Sequence, residues 1–267
     1  MSLPQHAMIA TLRRLCEADT RLEAAMLYGS FAYNEADEFS DIDVLLYFAD
    51  DYLLDIDQTA WIEQIQPVAL SYINEFGIRA IVFDNLVRGE FHFDPASHLA
   101  NFENFRGQWW FPSSAILFDR SGRLAQYLQA VSEKPQRDTL ETRDHLCHEF
   151  LNRFVFAMNV LARGELARAV ELTVWQNDIL LHMARLEENQ TDHWFTPTRA
   201  LEHDLSPAAY ARFVQCTAPL DKLALWSAYR NAWQWGKAWI QMYSTAYDAL
   251  VDKIDQRLAE LYHQASS

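Results

Sequence analysis

Seven residues, Ser132-Glu133-Lys134-Pro135-Gln136-Arg137-Asp138, carry no apolar side chain and include a proline. Such a segment has nothing to bury and one backbone donor fewer, so it reads as a linker. The hydrophobic pattern changes across it. Before it, short apolar runs alternate with turn residues. After it, apolar residues recur at helical spacing, as in Leu146, Phe150, Phe154, Ala157 and Leu161. Strands followed by helices predict an α+β chain in two parts: a small mixed β-sheet domain with flanking helices over 1–132, and an all-α helical bundle over 133–267. The length of 267 residues accommodates two ordinary domains.

Within the first part, the spacing predicts a helix over 5–17 and strands near 23–28 and 42–48. Ala60 to Ile73 has apolar residues at helical intervals, with Asp57 or Thr59 as N-cap, and Gly77 ends that segment. Strands are expected at 78–84, 90–93 and 114–119, with a break from Asn85 to Gly89, and a helix over 124–131. In the second part, helices are expected up to Gly164, over 165–186, near 197–205 and 207–216, and in one long region from Pro219 onward.

The chemistry concentrates in Tyr28 to Leu46, YGSFAYNEADEFSDIDVLL. An apolar strand feeds Gly29-Ser30, ten residues follow, and Asp41-Ile42-Asp43 opens a second strand. Gly29 has no Cβ, so a phosphate can approach its backbone, and Ser30 adds an N–H and a hydroxyl. Side chains alternate along a strand, so Asp41 and Asp43 share a face, roughly 7 Å apart. Two carboxylates so placed can flank a pair of divalent ions, which stand about 3.5–4 Å apart in two-metal sites. The chemistry expected is Mg²⁺-dependent phosphoryl or nucleotidyl transfer, with Asp41 and Asp43 as metal ligands.

Composition narrows the acceptor. Acidic residues outnumber basic ones, 37 to 22, for a formal charge of −15. No Lys/Arg run occurs, so a long polynucleotide is not an expected substrate, whereas a small cationic compound suits the charge. Cys16, Cys147 and Cys216 are widely spaced with no CxxC, as in a reducing cytoplasm. The first residues lack the apolar core of a signal peptide, and no run approaches the roughly 20 apolar residues of a membrane span. Cytoplasmic location without membrane association is expected.

The spacing of Gly29-Ser30 and Asp41-Ile42-Asp43 resembles the signature of the nucleotidyltransferase superfamily that includes DNA polymerase β. The longer pattern MLYGSFAYNEADEFSDIDVLLYF, with FDNLVRGEFHF at 83–93 and Asn159 to Glu165 further on, is similar to the lincosamide nucleotidyltransferases, relatives of the aminoglycoside enzymes. That resemblance implies a third carboxylate on a neighbouring strand, matched by Glu90, acting as general base with possible metal contact. It also implies two Mg²⁺ ions held by Asp41, Asp43 and Glu90, ATP or another nucleoside triphosphate as co-substrate, a lincosamide such as lincomycin or clindamycin as acceptor, and a homodimer. Gly29, Ser30 and Arg88 are the nucleotide-binding candidates. The sequence departs from the superfamily pattern at Tyr33 and Asn34, where a basic residue and a glycine are common. Asn can supply the left-handed turn. The basic contact to the triphosphate must then come from elsewhere, from Arg88, Arg163 or Arg168.

Other readings compete. An aminoglycoside acceptor fits the acidic charge. Arg143 and His148 match the R-x4-H spacing of HEPN ribonucleases, which suggests a protein-AMPylating or HEPN-like toxin–antitoxin component, although a polar helix face explains both residues. Trp226, Trp233 and Trp235 fit a bundle core or a dimer interface better than a wall for an apolar drug arm.

Overall fold

The computed structural model describes residues 3–266, which fall into two compact units divided between Pro135 and Gln136. In the first unit, helix α1 (Pro4–Ala18) precedes strands β1 (Leu22–Tyr28) and β2 (Ile42–Phe48). A short helix α2 (Gln58–Glu63) leads to β3 (Val68–Ile73), β4 (Arg79–Phe83) and β5 (Arg88–Pro95). After a 3₁₀ segment over Ala96–Phe105 come β6 (Ile116–Asp119) and α3 (Arg123–Leu128). Among the described residues the six strands form one sheet in the order β3-β4-β5-β2-β1-β6. All neighbours are antiparallel except β2 and β5, which run parallel.

Alternation along β2 sets up the two faces. Ile42, Val44, Leu46 and Phe48 are buried in the unit's core, while Asp43 lies half-exposed on the other face. Phe91 is buried from β5, with half-buried Glu90 and His92 opposite. Phe93 is only half-buried but stacks on Phe48 at 5.6 Å.

Two expectations are corrected here. The helix expected from Ala60 to Ile73 ends at Glu63, and Val68–Ile73 is a strand. Asp57 does cap the helix, accepting from the Ala60 N–H at 3.0 Å. Pro67 then disfavours a helical residue before it, and its carbonyl accepts from Asp84, so the run VALSYI zips onto β4. The break expected to extend through Gly89 is shorter. A turn with Leu86 at φ +64° closes it, and β5 already includes Arg88 and Gly89. A Cβ on Gly89 would lie 2.8 Å from both the Ile42 carbonyl and the Phe91 ring, so close strand packing explains this glycine.

The second unit is helical: α4 (Leu140–Ala162), α5 (Leu166–Glu187), short α6 (Leu201–Asp204), α7 (Pro207–Gln215), α8 (Lys222–Tyr243) and α9 (Asp248–Ser266). The stripe Leu146, Phe150, Phe154, Ala157 and Leu161 is buried. Trp233 is its centre, 4.9 Å from the Phe154 ring and stacked on Phe150 at 6.1 Å, with its indole N–H donated to Asp255. Trp226, Trp233 and Trp235 are all core residues. The long C-terminal helical region is two helices, because the Ser244 hydroxyl accepts from the Ala246 N–H and makes a turn of its own. Arg143 is held by Asp138 with two contacts of 2.7 Å, and His148 bonds the Tyr247 hydroxyl at 2.9 Å. Both histidine and arginine of the R-x4-H spacing are thus engaged in local structure.

Between α5 and α6 the chain is pinned by Arg185, which is 0% exposed. Its guanidinium donates to the carbonyls of Gln190, Pro197 and Arg199 and to the Asp204 carboxylate at 2.9 Å. His193 shares that carboxylate oxygen at 2.6 Å. Burial opposes charge on Asp204, but His193 and Arg185 outweigh it and hold its carboxyl below the usual carboxylate range. A depressed carboxyl pKa contributes stability that is complete above the unfolded value near 3.8 and is lost as pH falls through the folded value. Asp204→Asn is therefore expected to destabilise the helical unit by about 2 kcal/mol at pH 7. The gap to the parent should shrink in urea melts below pH 3.8, the ordinary aspartate value. An equal gap at both pH values would remove the electrostatic account.

Candidate active site

The turn after β1 is built around Gly29, whose φ of +64° is the left-handed region open to glycine. A Cβ at this position would collide with the Asp43 carboxylate. Backbone and acid are thus in direct proximity only because the side chain is missing. Gly29-Ser30-Phe31 form one 3₁₀ turn, closed by the Ala32 N–H on the Gly29 carbonyl at 3.1 Å. The Ser30 carbonyl then accepts from Glu35 at 3.0 Å. Asn34 takes φ +59°, the conformation expected of it in place of glycine.

The far end of this loop is fixed from outside. Gln5 of α1 is 1% exposed and donates its amide to the carbonyls of Glu38 (3.1 Å) and Ser40 (2.9 Å), immediately before Asp41. A glutamine in an amphipathic helix gives no sequence signal of such a role, and only the packing of α1 reveals it.

Sheet register brings the acids together. Tyr28 pairs with Asp43 across β1 and β2, and Asp43 pairs with Glu90 across β2 and β5. Paired residues on adjacent strands share a face and lie about 4.8 Å apart. Asp41, one position outside β2, meets Arg88 at 2.8 Å from Nη1 to Oδ2. Gly29, Asp43 and Glu90 therefore form one locus, and Asp41 stands beside it paired to a guanidinium. Among the described residues no group of three or more His, Cys, Asp and Glu side chains is gathered closely enough to hold a metal ion. The donor types are nonetheless hard carboxylate oxygens, as Mg²⁺ requires. Asp43 and Glu90 offer them side by side, and Asp41 would add its own on leaving Arg88.

The basic candidates separate. Arg88 is exposed and tied only to Asp41 among the contacts described. Arg163 and Arg168 both face Glu165, at 3.7 and 3.4 Å, and Arg168 also lies over Phe156. Tyr33, which stands where a basic residue is common, donates its hydroxyl to the Trp110 carbonyl at 2.7 Å. Its ring is 5.0 Å from the Trp110 ring, which in turn carries the Lys134 ammonium at 5.0 Å.

Two further side chains join the acid row. The Tyr28 hydroxyl is 3.4 Å from Glu90 Oε2 and 3.0 Å from His92 Nε2. Burial, together with the charges of Asp43 and Glu90, raises the Tyr28 phenol, so it stays protonated. Burial lowers His92, against the opposing pull of Asp94 and Glu90. Alternation along RGEFHF places His92 on the face of Glu90, but the reach of Tyr28 across β2 had no counterpart in the sequence.

Residues 10–76 match the polymerase beta nucleotidyltransferase family, a span that includes Gly29, Ser30, Asp41 and Asp43. Residues 139–262 match the family described as lincosamide nucleotidyltransferase-like, C-terminal domain. Arg88 and Glu90 lie outside both matches. No curated protein matches the chain. Among solved structures, an aminoglycoside 6-adenyltransferase from Bacillus subtilis aligns at 15% identity, covering 98% of this chain and 99% of that one with a TM-score of 0.43. A nucleotidyltransferase-like protein from Exiguobacterium sibiricum aligns at 13% identity over 94% and 80%, with a TM-score of 0.39. A polymerase beta-type nucleotidyltransferase model thus matches part of the first half of the chain and a lincosamide nucleotidyltransferase-like model matches most of the second, and the chain is a transferase of the nucleotidyltransferase type.

Proposed function

We propose that the protein transfers a nucleoside monophosphate, AMP from ATP, to a hydroxyl of a lincosamide such as lincomycin or clindamycin, and so inactivates the drug. The observation that carries the transfer chemistry is the register of Asp43 against Glu90 beside Gly29. The lincosamide acceptor is supported by the family match over residues 139–262.

In this reading Glu90 accepts the proton of the acceptor hydroxyl. The freed oxygen forms a bond to the α-phosphorus, the bond from that phosphorus to the bridging oxygen breaks, and pyrophosphate leaves. The backbone of Gly29 and the N–H and hydroxyl of Ser30 receive the phosphates. Asp41, Asp43 and Glu90 would hold Mg²⁺, which when bound neutralises charge on the phosphates. Arg88 turns from Asp41 to the triphosphate, taking the part of the basic residue that Tyr33 replaces. A homodimer in the cytoplasm is the setting we assign to it.

The test is incubation with ATP, Mg²⁺ and a panel of lincosamides, aminoglycosides and proteins, read by mass spectrometry for an added AMP. Transfer to a lincosamide is expected, and transfer only to an aminoglycoside or a protein would overturn the acceptor assignment. Glu90→Gln should lower turnover by roughly 10²–10⁴-fold with nucleotide binding kept. Asp43→Asn should abolish it to a similar degree.

Arg88→Ala separates the roles of the arginine. Its side chain is 58% exposed, and such an ion pair contributes at most about 1 kcal/mol, so the melting temperature should barely change. The KM for ATP should rise roughly tenfold, the loss of one charged contact to phosphate. An unchanged KM would exclude Arg88 from the nucleotide site.

A further inference from the structure

Glu90 alone is a poorly oriented base. It sits half-buried on an open strand face, and rotation about its last side-chain bond can aim either oxygen in many directions. Proton abstraction requires one oxygen within about 2.6–3.2 Å of the hydroxyl. Before any ion is bound, a protein group must fix the other oxygen.

Tyr28 is placed to do so. It is the last residue of β1 and immediately precedes Gly29. Its ring passes over the Asp43 row and reaches β5, where the hydroxyl stands between Glu90 Oε2 at 3.4 Å and His92 Nε2 at 3.0 Å. The His92 ring packs edge-on against the Tyr28 ring, 5.3 Å between centroids at 79°. A phenol has one proton and two acceptors compete for it. If His92 carries its proton on Nε2, that N–H donates to the phenol oxygen, and the phenol proton is free to point at Glu90. The other tautomer turns the phenol away from Glu90.

We infer that His92 and Tyr28 form a directed hydrogen-bond chain, His92 Nε2–H to Tyr28 O–H to Glu90 Oε2, that positions Glu90 with Oε1 toward the acceptor hydroxyl. The inference rests on Glu90 being the base. Tyr28 and His92 are positioning residues here, acting through Glu90. The chain also ties the base to the nucleotide turn, because the residue that orients Glu90 is covalently joined to Gly29. Hydrogen bonds in series strengthen one another, so the 3.4 Å contact is expected to shorten when Glu90 is charged and the acceptor fills the face.

Kinetics of AMP transfer to lincomycin, across pH, separate this inference from the base assignment beneath it. Tyr28→Phe keeps the ring and removes the hydroxyl. Its kcat should fall roughly tenfold to a hundredfold with the KM for ATP and for lincomycin within about twofold. His92→Ala should show the same pattern, and His92→Gln, whose amide can donate from a similar position, should recover most of the loss. Wild-type turnover in Tyr28→Phe, with Glu90→Gln inactive, would overturn the positioning chain and leave the base assignment standing. Wild-type turnover in Glu90→Gln would overturn both. A readout independent of any acceptor is the ¹⁵N spectrum of the His92 ring in the full chain. The Nε2–H tautomer is expected, with a shift at Nε2 in Tyr28→Phe, and the Nδ1–H tautomer would overturn the chain.

Discussion

The parallel pairing of β2 with β5 is the contact on which the site depends. Among the described residues it is the one parallel pair in an otherwise antiparallel sheet, and it requires the chain to leave β2, form α2 and the β3–β4 hairpin, and return on the far side. Its register sets Asp43 opposite Glu90 and Ile42 opposite Gly89. A slip of one residue would turn Glu90 toward the core and Phe91 toward solvent. Burial of Phe91, Val44 and Leu46 on one face therefore determines which carboxylates meet on the other.

Glycine makes the site possible at two points, one on each side of β2. At Gly89 the missing Cβ lets β5 lie against the Ile42 carbonyl, which sets the approach of the two strands just before the acids. At Gly29 it lets a phosphate-binding turn and a carboxylate occupy neighbouring space. Acid, turn and base are brought within reach by the absence of side chains as much as by their presence. The loop between them is then held by Gln5 from α1, so the position of Asp41 depends on a helix far away in sequence.

The helical unit holds together through different forces. Aromatic rings stacked around Trp233 fill its core, and one buried guanidinium organises the chain between α5 and α6 by satisfying three carbonyls and a carboxylate. An unpaired buried charge is costly, so the loop that supplies those oxygens is fixed wherever Arg185 is buried.

Much of this was legible in the residues. The apolar run that Asp41-Ile42-Asp43 opens located β2, the stripe from Leu146 to Leu161 located α4, and the Gly29-Ser30 to Asp41-Asp43 spacing located the acidic turn. These are local periodicities, and local sterics and burial enforce them. The strand at Val68–Ile73 was not legible, because its apolar residues also fit a helix and only the partner β4 decides between them. The extension of β5 back to Arg88 was hidden for the same reason: a glycine reads as a break until the neighbouring strand shows what it makes room for. The pairing of Arg88 with Asp41, and the reach of Tyr28 across a strand to Glu90 and His92, joined residues 47 to 64 positions apart. The sequence by itself determined which acids and which turn are present. Only the tertiary structure decided that Gly29, Asp43 and Glu90 meet, because contacts between distant segments follow from strand order and register, which no local pattern encodes.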